Sequence, residues 1–304
     1  MSEAAGAPVS QGRNIAAFIL LSLVWGSTWL VIKDQISVVP PAWSVTWRFL
    51  LAGAVMLGLC AARGEKLALP GEALRLAAVI ALCQFVLNFQ LVYAAELYLT
   101  SGLVAVLFAL MLVPNALLAR LFLTIPIGQR FLIGSGVALA GVALLLAHEF
   151  RAAPAGMNVI AGIALAGAAV LSASVGNVLQ ASAAARRTAV LPLIAWAMLL
   201  GGLGNAAFAW MAAGSPQFDP RPQYWLGLGY LALVGSVLTF PLYSQLLRDW
   251  GPGKAGYNGV VVPVVAMALS TLFEGYSWTA LAAGGAGLAM CGLLIALSGR
   301  KASA

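Results

Sequence analysis

Charged side chains are scarce in this sequence of 304 residues. Asp, Glu, Lys and Arg together make up 8% of the chain, whereas hydrophobic residues make up 62% and the mean hydropathy is +0.97. A soluble domain keeps about a quarter of its residues charged. This composition therefore excludes a soluble globular protein and predicts a chain embedded in a lipid bilayer.

Metal-binding and catalytic side chains are also sparse. Cys60, Cys83 and Cys291 lie far apart inside apolar runs, and His148 is the single histidine. This spacing suits neither a disulfide framework nor a metal site, so we expect no metal ion and no cofactor. A membrane enzyme would need several ionisable groups converging at one place. The sequence offers no such set, and we expect no enzymatic activity.

A polar tail at residues 1–13, which lacks the apolar core of a signal peptide, precedes ten apolar runs. Runs of this length cross a bilayer as helices, because lipid leaves no partner for an open sheet edge or an irregular backbone. The sequence thus predicts an all-α polytopic protein with ten transmembrane helices. The predicted spans are 14–32, 43–62, 76–95, 101–123, 131–147, 158–183, 190–212, 225–246, 255–273 and 278–297.

Basic residues are distributed unequally between the two sides of the predicted membrane. With both chain ends on one side, twelve fall in loops on that side and three on the other. This bias predicts cytoplasmic termini, and it explains the net charge of +7 without any nucleic-acid partner. The twelve are Arg13, Arg63, Lys66, Arg75, Arg120, Arg130, Arg186, Arg187, Arg248, Lys254, Arg300 and Lys301, and the three are Lys33, Arg151 and Arg221.

Landmarks of the first half return in the second half. Tyr93 and Tyr243 are 150 residues apart, and Pro114 and Pro263 are 149 apart, each pair in a similar passage from one span to the next. A period of half the chain indicates a duplicated unit. We predict a first repeat at 14–150, a second at 151–298 and a cytoplasmic tail at 299–304.

Each predicted repeat holds five spans, and five is an odd number. The second repeat would therefore enter the membrane from the opposite face, which gives two inverted repeats around a central cavity. Inverted repeats are typical of transporters, because two equivalent halves supply inward-open and outward-open arrangements of one site. The sequence therefore predicts a transporter.

Local motifs agree with this architecture. They are Trp25-Gly26-Ser27-Thr28 in the first span, Trp47-Arg48-Phe49 in the second, and a proline midway along the fourth and ninth. With these motifs the chain resembles the drug/metabolite transporter superfamily. Within it the chain is similar to the EamA family, and to its bacterial aromatic amino-acid exporter branch of the YddG type. The resemblance implies eight helices around a central cavity, with the fifth and tenth outside as supports, in a bacterial inner membrane.

Small residues recur along the fifth and tenth spans. Gly134 and Gly141 are seven apart in the first half, as are Gly285 and Gly292 in the second. Small side chains let helix backbones approach closely. We expect tight packing against neighbouring helices, and a dimer contact is the alternative.

Uncharged polar side chains inside the spans are the first candidates for contacting a substrate. Gln84 and Asn88 are four residues apart and share a helix face. An amide both donates and accepts, which suits the two charged ends of a zwitterion. The alternative is a hydrogen bond between helices. Ser174, Asn177 and Gln180 form a second stripe, on the inverted counterpart of the span that carries Trp25 and Thr28.

Aromatic residues divide by their predicted depth. Trp43, Trp210, Trp225, Trp250 and Trp278 lie near span ends and are expected at the membrane interface. Deeper rings offer surfaces for stacking an aromatic substrate, or they pack against lipid and other helices. The deeper set comprises Trp25, Trp29, Trp196, Tyr93, Tyr243 and Tyr257.

Charges inside the membrane are nearly absent. Arg48 is the one charged residue well inside a predicted span, and we expect its guanidinium to reach the outer surface rather than bind a substrate carboxylate. Glu96, Glu274 and His148 fall at outer span ends, where we expect them to be solvated. A carrier without a carboxylate at membrane depth has no evident proton-binding residue.

These observations predict an exporter of small neutral metabolites, above all aromatic and other apolar amino acids, that runs down the substrate gradient without ion coupling. The alternative is a proton-coupled exporter of drugs or metabolites with broader specificity. Its partners are the substrate and the bilayer, and we expect a monomer or a weak homodimer. The candidate substrate contacts are Trp25, Thr28, Gln84, Asn88, Tyr93, Ser174, Asn177, Gln180, Trp196, Tyr243 and Tyr257, with Pro114 and Pro263 as hinges.

Overall fold

The computed structural model describes residues 11–152, 158–243, 246 and 258–298, which form helices and connections without a β-strand. Among these residues, eight helices are long and apolar enough to cross a membrane, and two further helices are apolar but shorter. The protein is therefore an all-helical polytopic membrane protein, and a count of ten spans stays a prediction. These ten helices are α1 (Gln11–Gln35), α2 (Pro41–Ala62), α3 (Gly71–Ala95), α4 (Ser101–Leu123), α5 (Gln129–Ala152), α6 (Val159–Gln180), α7 (Val190–Ala213), α8 (Pro222–Tyr243), α9 (Asn258–Phe273) and α10 (Ala280–Ser298). A one-turn helix at Ala183–Arg186 lies between α6 and α7.

The sequence explains where several helices begin and end. Pro41 and Pro222 open α2 and α8, where a residue without an N–H removes no helix hydrogen bond. Asn158 precedes α6, and its side-chain oxygen accepts a hydrogen bond from the Ala161 amide at 3.0 Å. At the end of α4, Thr124 adopts a left-handed conformation with φ of 58°, which stops the helix.

Contacts between helices are reciprocal between the two halves of the chain. The α1–α8 and α1–α9 contacts match α6–α3 and α6–α4, and α2–α8 matches α7–α3. The contacts α2–α7, α4–α9 and α5–α10 each join one helix to its own counterpart. This pattern is what two equivalent halves related by a two-fold exchange produce. The directions in which the halves cross the membrane stay a prediction.

The closest of these packings joins α5 to α10. A Cβ atom added at Gly285 would lie 2.8 Å from the Gly141 carbonyl oxygen, and one added at Gly292 would lie 2.6 Å from the Gly134 carbonyl oxygen. Real Cβ atoms do not approach backbone this closely, so only glycine fits at these positions. The expectation that these small residues pack tightly against a neighbouring helix is confirmed, and the neighbour belongs to the same chain. We call this contact the glycine seam.

A second glycine pair joins α2 to α7. A Cβ atom added at Gly53 would lie 2.6 Å from the Leu199 amide nitrogen, and one added at Gly202 would lie 2.7 Å from the Leu50 amide nitrogen. Gly53 and Gly202 are 149 residues apart, so the same position of each half serves the same contact. The internal repeat is therefore visible in packing as well as in sequence.

The third helix of each half is interrupted by one π-helical segment. One spans Ala81–Leu87 within α3, and the other spans Tyr230–Leu238 within α8. In the α3 segment, side chains of other helices donate to carbonyl oxygens: Ser172 Oγ to Cys83 at 2.8 Å and Asn205 Nδ2 to Phe85 at 2.9 Å. In the α8 segment, Ser236 Oγ donates to the Leu231 carbonyl at 2.9 Å. A π-helical turn carries one extra residue and is frequent at functional sites.

The two predicted hinges differ in their effect on the backbone. Helix α4 is broken at Leu110 and Met111, four residues before Pro114, because proline offers no N–H to the Leu110 carbonyl and its ring crowds that group. Pro263 lies inside α9, which continues through it without a break. The predicted kink is thus present at Pro114, while a hinge motion stays a prediction at both positions.

Candidate functional site

Arg48 lies two turns into α2, and its side chain turns into the helix bundle. Only 3% of its surface is exposed. Its Nε and Nη2 atoms donate to Ser236 Oγ of α8, both at 3.4 Å, and Nη1 donates to the Tyr93 hydroxyl of α3 at 3.3 Å. The expectation that this guanidinium reaches the outer surface is wrong. Hydroxyl groups on two other helices hold it in the interior.

Two aromatic rings lie beside the Arg48 guanidinium. The Arg48 Cζ atom lies 4.7 Å from the centre of the Phe89 ring and 5.3 Å from that of Phe49. The Phe49 ring meets Phe89 at 4.6 Å and Phe85 at 5.2 Å between ring centres. A cation over a ring face is attracted by the ring quadrupole, so the charge and the rings stabilise each other.

The rings continue across the two halves of the chain. Phe85 meets Phe240 of α8 at 5.9 Å, and Phe240 meets Trp25 of α1 at 6.2 Å. Trp25 in turn lies 5.1 Å from Tyr243. We call the rings from Trp25 through Phe240, Phe85 and Phe49 to Phe89 the aromatic chain. Helices α1, α2, α3 and α8 contribute to it, and Arg48 lies at its end.

Only part of this group was predictable from the sequence. Trp25, Tyr93 and Tyr243 were predicted site residues, whereas the phenylalanines were not. Phe85 and Phe89 are four residues apart and therefore share a helix face, which is the signal that identified the neighbouring amides. Phenylalanine is so common in apolar spans that this spacing alone did not stand out.

The predicted amides lie together between α3, α4 and α6. Asn88 Nδ2 donates to the Gln84 carbonyl at 3.2 Å, and a Cβ added at Gly176 of α6 would lie 2.6 Å from Gln84 Oε1. Asn177 Nδ2 donates to Asn115 Oδ1 of α4 at 3.4 Å. The side-chain oxygens of Gln84 and Asn88 are buried without a hydrogen-bond partner among the described residues. A ligand or water could bond to these oxygens only after the surrounding helices move apart.

The remaining predicted contacts are more scattered. Thr28 is buried beside Gly235, close to Arg48, whereas Ser174 Oγ and Gln180 Nε2 bond to carbonyls of their own helix. Trp196 Nε1 donates to the Leu67 carbonyl at 2.8 Å, in the connection between α2 and α3. This hydrogen bond ties the indole to a loop, away from the aromatic chain. Tyr257 lies outside the described residues, as does Trp250.

Glu96, in the turn after α3, is fully buried, contrary to the expectation that it is solvated. Neither carboxyl oxygen has a hydrogen-bond partner among the described residues. The ammonium group of Lys33 donates to the main-chain carbonyls of Glu96 and Leu99, so the end of α1 is bonded to this turn. A buried carboxyl without partners is costly when ionised.

Charges on three other elements act on Glu96. Burial raises the pKa of its carboxyl well above the usual range, and the Glu274 carboxylate after α9 raises it too. Lys33 of α1 and Arg48 of α2 lower it, without cancelling the effect of burial. Glu274 itself accepts hydrogen bonds from the Ser101 amide, at 3.2 Å, and from its hydroxyl. Glu96 therefore holds its proton to a higher pH than a solvated glutamate does.

Two further expectations about span ends are wrong. His148 is buried, with its Nδ1 atom 3.1 Å from Thr279 Oγ1, because the ring packs between α5 and the start of α10. Trp43 is buried rather than interfacial, and its ring stacks on Trp47 at 5.2 Å between centres. Trp210, Trp225 and Trp278 are exposed, as an interfacial position requires.

A separate groove of about 470 Å³ lies between α4, α9 and α10 and has an apolar lining that includes Val106, Pro263, Met267 and Met290. It shares no lining residue with the aromatic chain. In the described ranges, no three His, Cys, Asp or Glu side chains gather in a group that could hold a metal ion.

A family profile and a solved structure each match nearly the whole chain. The sequence profile of the EamA-like transporter family matches residues 13–147 and 160–298, one match in each half. A solved crystal structure superposes with a TM-score of 0.68 at 18% identity, and the match covers 97% of this chain and all of the other. At this identity the likeness concerns the fold alone.

Curated relatives are bacterial proteins of similar length. The Escherichia coli K12 protein named "Uncharacterized inner membrane transporter YedA" is 29% identical over 259 residues, covering 84% of this chain and 81% of its own. "Protein PagO" of Salmonella typhimurium is 26% identical over 274 residues, 86% and 84% of the two chains. A "Probable amino-acid metabolite efflux pump" of the same organism is 25% identical over 297 residues, 92% and 93%.

Proposed function

Because the chain belongs to the EamA-like transporter family, we propose that this membrane transporter exports small neutral metabolites, above all amino acids with aromatic or apolar side chains. The aromatic chain is the observation that carries this proposal, since Trp25, Phe89 and Phe240 keep part of their surface exposed for stacking and come from both halves of the protein. The name of one relative, a probable amino-acid metabolite efflux pump, supports the same substrate class. The family profile and the name of the relative YedA support transport rather than catalysis.

We propose that the substrate moves by alternating access between the two halves. Its ring would lie against the aromatic chain, and its polar groups would face Gln84 and Asn88, whose side-chain oxygens lack partners. Thr28, Tyr93 and Tyr243 adjoin the aromatic chain. Asn177 bonds to α4 and lies on α6, the helix that packs against Gln84. The break before Pro114 would let the two parts of α4 move separately. Ser174, Gln180 and Trp196 have weaker support, since they bond to backbone carbonyls.

Inverted halves require a specific topology, with both termini and the Arg186–Arg187 loop in the cytoplasm. The unequal distribution of basic residues supports this orientation. We expect a membrane-impermeant thiol reagent, applied outside cells to a chain whose native cysteines have been replaced, to modify a cysteine at position 155 and to spare one at position 188. The same cysteines in inside-out vesicles are the control and should give the reverse. Modification of position 188 from outside would exclude the inverted arrangement.

We propose that transport follows the substrate gradient without ion coupling. In proteoliposomes that hold only this protein, unlabelled phenylalanine inside should drive the uptake of labelled phenylalanine from outside. An imposed pH gradient should change the initial rate little. Leucine should compete, whereas lysine, glutamate and a cationic dye should not. Absence of counterflow with every apolar amino acid would exclude the proposed substrate class.

Proton coupling with broader specificity is a second candidate, and the buried Glu96 favours it. Because its pKa is raised, this carboxyl can take up a proton at an external pH that leaves solvated glutamates ionised. In this case the same liposomes would accumulate substrate when a pH gradient alone is imposed. Glu96→Gln would abolish this pH-driven accumulation, whereas counterflow would persist. The exposed Glu72→Gln is the matched control. Uphill accumulation that survives Glu96→Gln would exclude Glu96 as the coupling residue.

We propose that the protein lies in the bacterial inner membrane, which is the location that the name of the relative YedA states for that protein. We propose that it acts as a monomer or a weak homodimer. The glycine seam supports a monomer, because the small residues of α5 and α10 are already used within one chain.

A further inference from the structure

Arg48 is a buried cation without an anion. Within the described residues, the salt bridges found within 4.0 Å all involve Arg221, and no carboxylate lies that close to the Arg48 guanidinium. Arginine keeps its proton at any working pH, so the group cannot escape its burial by becoming neutral. Buried charges in proteins are normally paired with an opposite charge. The missing partner is the feature that requires an explanation.

The contacts that Arg48 does make leave most of its hydrogen-bonding capacity unused. A guanidinium has five N–H donors. Its partners are two neutral hydroxyls, of Ser236 and Tyr93, at 3.3 to 3.4 Å, which is beyond the usual N–H···O distance of about 2.9 Å. Tyr93 accepts in this contact, and no acceptor for its own phenol proton is found among the described residues. Arg48 and Tyr93 can thus donate together to one incoming acceptor.

On this basis we propose that Arg48 and Tyr93 bind the carboxylate of the transported substrate, with its apolar body along the aromatic chain. This inference rests on the proposed function and names the chemical group that the carrier requires. A carboxylate accepts two parallel bonds from the guanidinium fork, and the phenol adds a third. Phe89 and Phe49 stand directly beside the charge, so the ligand is an organic anion with an apolar body attached.

The surrounding charges restrict the ligand to a single negative charge at this position. Lys33 donates to the carbonyls of Glu96 and Leu99, so its ammonium group is already bound. Glu96 would interact with Arg48 when ionised, but burial makes its carboxyl hold a proton to a higher pH than a solvated glutamate does, so it leaves Arg48 without a full counter-charge. Among the described residues around this position, Arg48 alone is left as a cation without an anionic or carbonyl partner, which matches a monocarboxylate and is insufficient for a phosphate ester.

Helix α8 leaves little room beside the Arg48 guanidinium. A Cβ atom added at Gly235 would lie 3.0 Å from the Thr28 methyl carbon and 3.7 Å from Arg48 Nη2. A side chain here would crowd Thr28 and stand beside the guanidinium. The absence of a side chain at Gly235 keeps one side of the guanidinium approachable once α8 moves relative to α2.

The test compares three probes that share a phenyl ring. The purified protein should be stabilised against heat by phenylalanine and by phenylacetate, which has the carboxylate without the amine. Phenethylamine, which has the amine without the carboxylate, should not stabilise it. Phenylacetate should also compete with labelled phenylalanine in counterflow, and phenethylamine should not. Stabilisation by phenethylamine equal to that by phenylacetate would overturn the proposal without any variant.

Variants then assign the carboxylate preference to Arg48. Arg48→Gln should weaken phenylacetate binding roughly tenfold to a hundredfold, because it removes a charged hydrogen-bond donor. The exposed Arg130→Gln changes the net charge equally and should bind as the parent does. If Arg48→Gln does not fold, Tyr93→Phe is the alternative variant. It should weaken the binding of phenylacetate and of phenylalanine to the same extent. Unchanged phenylacetate binding in a folded Arg48→Gln protein would overturn the assignment.

The two proposals fail in different ways. Phenylacetate binding that depends on Arg48, without counterflow of any amino acid, would preserve the carboxylate site and exclude amino-acid transport. Counterflow of phenylalanine that survives in folded Arg48→Gln would preserve the transport function and exclude the carboxylate site.

Discussion

Gly292→Leu is expected to abolish the accumulation of folded protein in the membrane. At this position the backbones of α5 and α10 touch, and a Cβ atom alone would lie 2.6 Å from the Gly134 carbonyl oxygen. Overpacking a side-chain contact costs about 1–3 kcal/mol, because neighbouring side chains can shift. Here backbone must move instead, so the two helices separate along their length. We expect a loss of monodisperse protein in size-exclusion chromatography.

Gly287→Leu is the matched control for this substitution. Gly287 lies on the same helix, five residues earlier, and nothing stands within 4 Å of a Cβ atom added there. The change of residue is the same, and a leucine that faces lipid is compatible with a bilayer. The control should express and elute as the parent does. Equal yields of the Gly292 and Gly287 variants would contradict the glycine seam.

Trp25→Ala and Phe240→Ala are each expected to lower phenylalanine counterflow roughly tenfold to a hundredfold. Either change removes a ring from the middle of the aromatic chain, with the loss of its apolar contact area and of its stacking on the substrate. The transport of alanine, which has no ring, should fall much less. Initial rates for the two substrates, normalised to the amount of protein in the liposomes, measure this difference.

Trp210→Ala provides the control, because this indole is 60% exposed on α7 and lies at a predicted membrane interface. Its removal should leave the ratio of phenylalanine to alanine transport unchanged. An equal loss of both substrates in Trp25→Ala would show that the rings support the fold and do not select the substrate.

The fold could be predicted from the sequence to the extent that it depends on local patterns. Apolar runs defined the helices within a few residues, because bilayer thickness sets their length. The spacing of Gly134 and Gly141 marked the seam, and Pro114 marked the break in α4. Orientation relative to the membrane rests on the unequal distribution of basic residues, and it stays a prediction.

The environment of the charged residues could not be predicted in this way. Glu96 follows the end of a predicted span, and Arg48, although inside one, lies only a turn or two from its start, so that both side chains could be expected to reach water. Whether they do so depends on groups supplied by distant helices, such as Ser236 of α8 for Arg48 and Lys33 of α1 for the Glu96 turn. Such contacts join residues 188 and 63 positions apart, and a single sequence carries no sign of them.

The aromatic site was only partly predictable for a related reason. Trp25 and Tyr243 stood out because indole and phenol rings are uncommon in the interior of spans. Phe240 did not, although it links them to α3, because a phenylalanine in an apolar run has many equivalent explanations. The π-helical segments also shift the faces of α3 and α8 relative to a regular helix. Face assignments based on regular helical periodicity therefore lose accuracy after residue 81 and after residue 230.

The π-helical segments also determine how α3 and α8 can twist. In a regular helix each residue turns the chain by about 100°, and a π-helical turn holds one residue in excess. If that excess moves along α8, every side chain between its old and new positions rotates by about one residue step, while the helix ends stay in place. Such a rotation, carried past Phe240, would turn its ring away from Trp25 and open the aromatic chain at one link. Torsion within a single helix can therefore supply a gate without any tilt of the two halves.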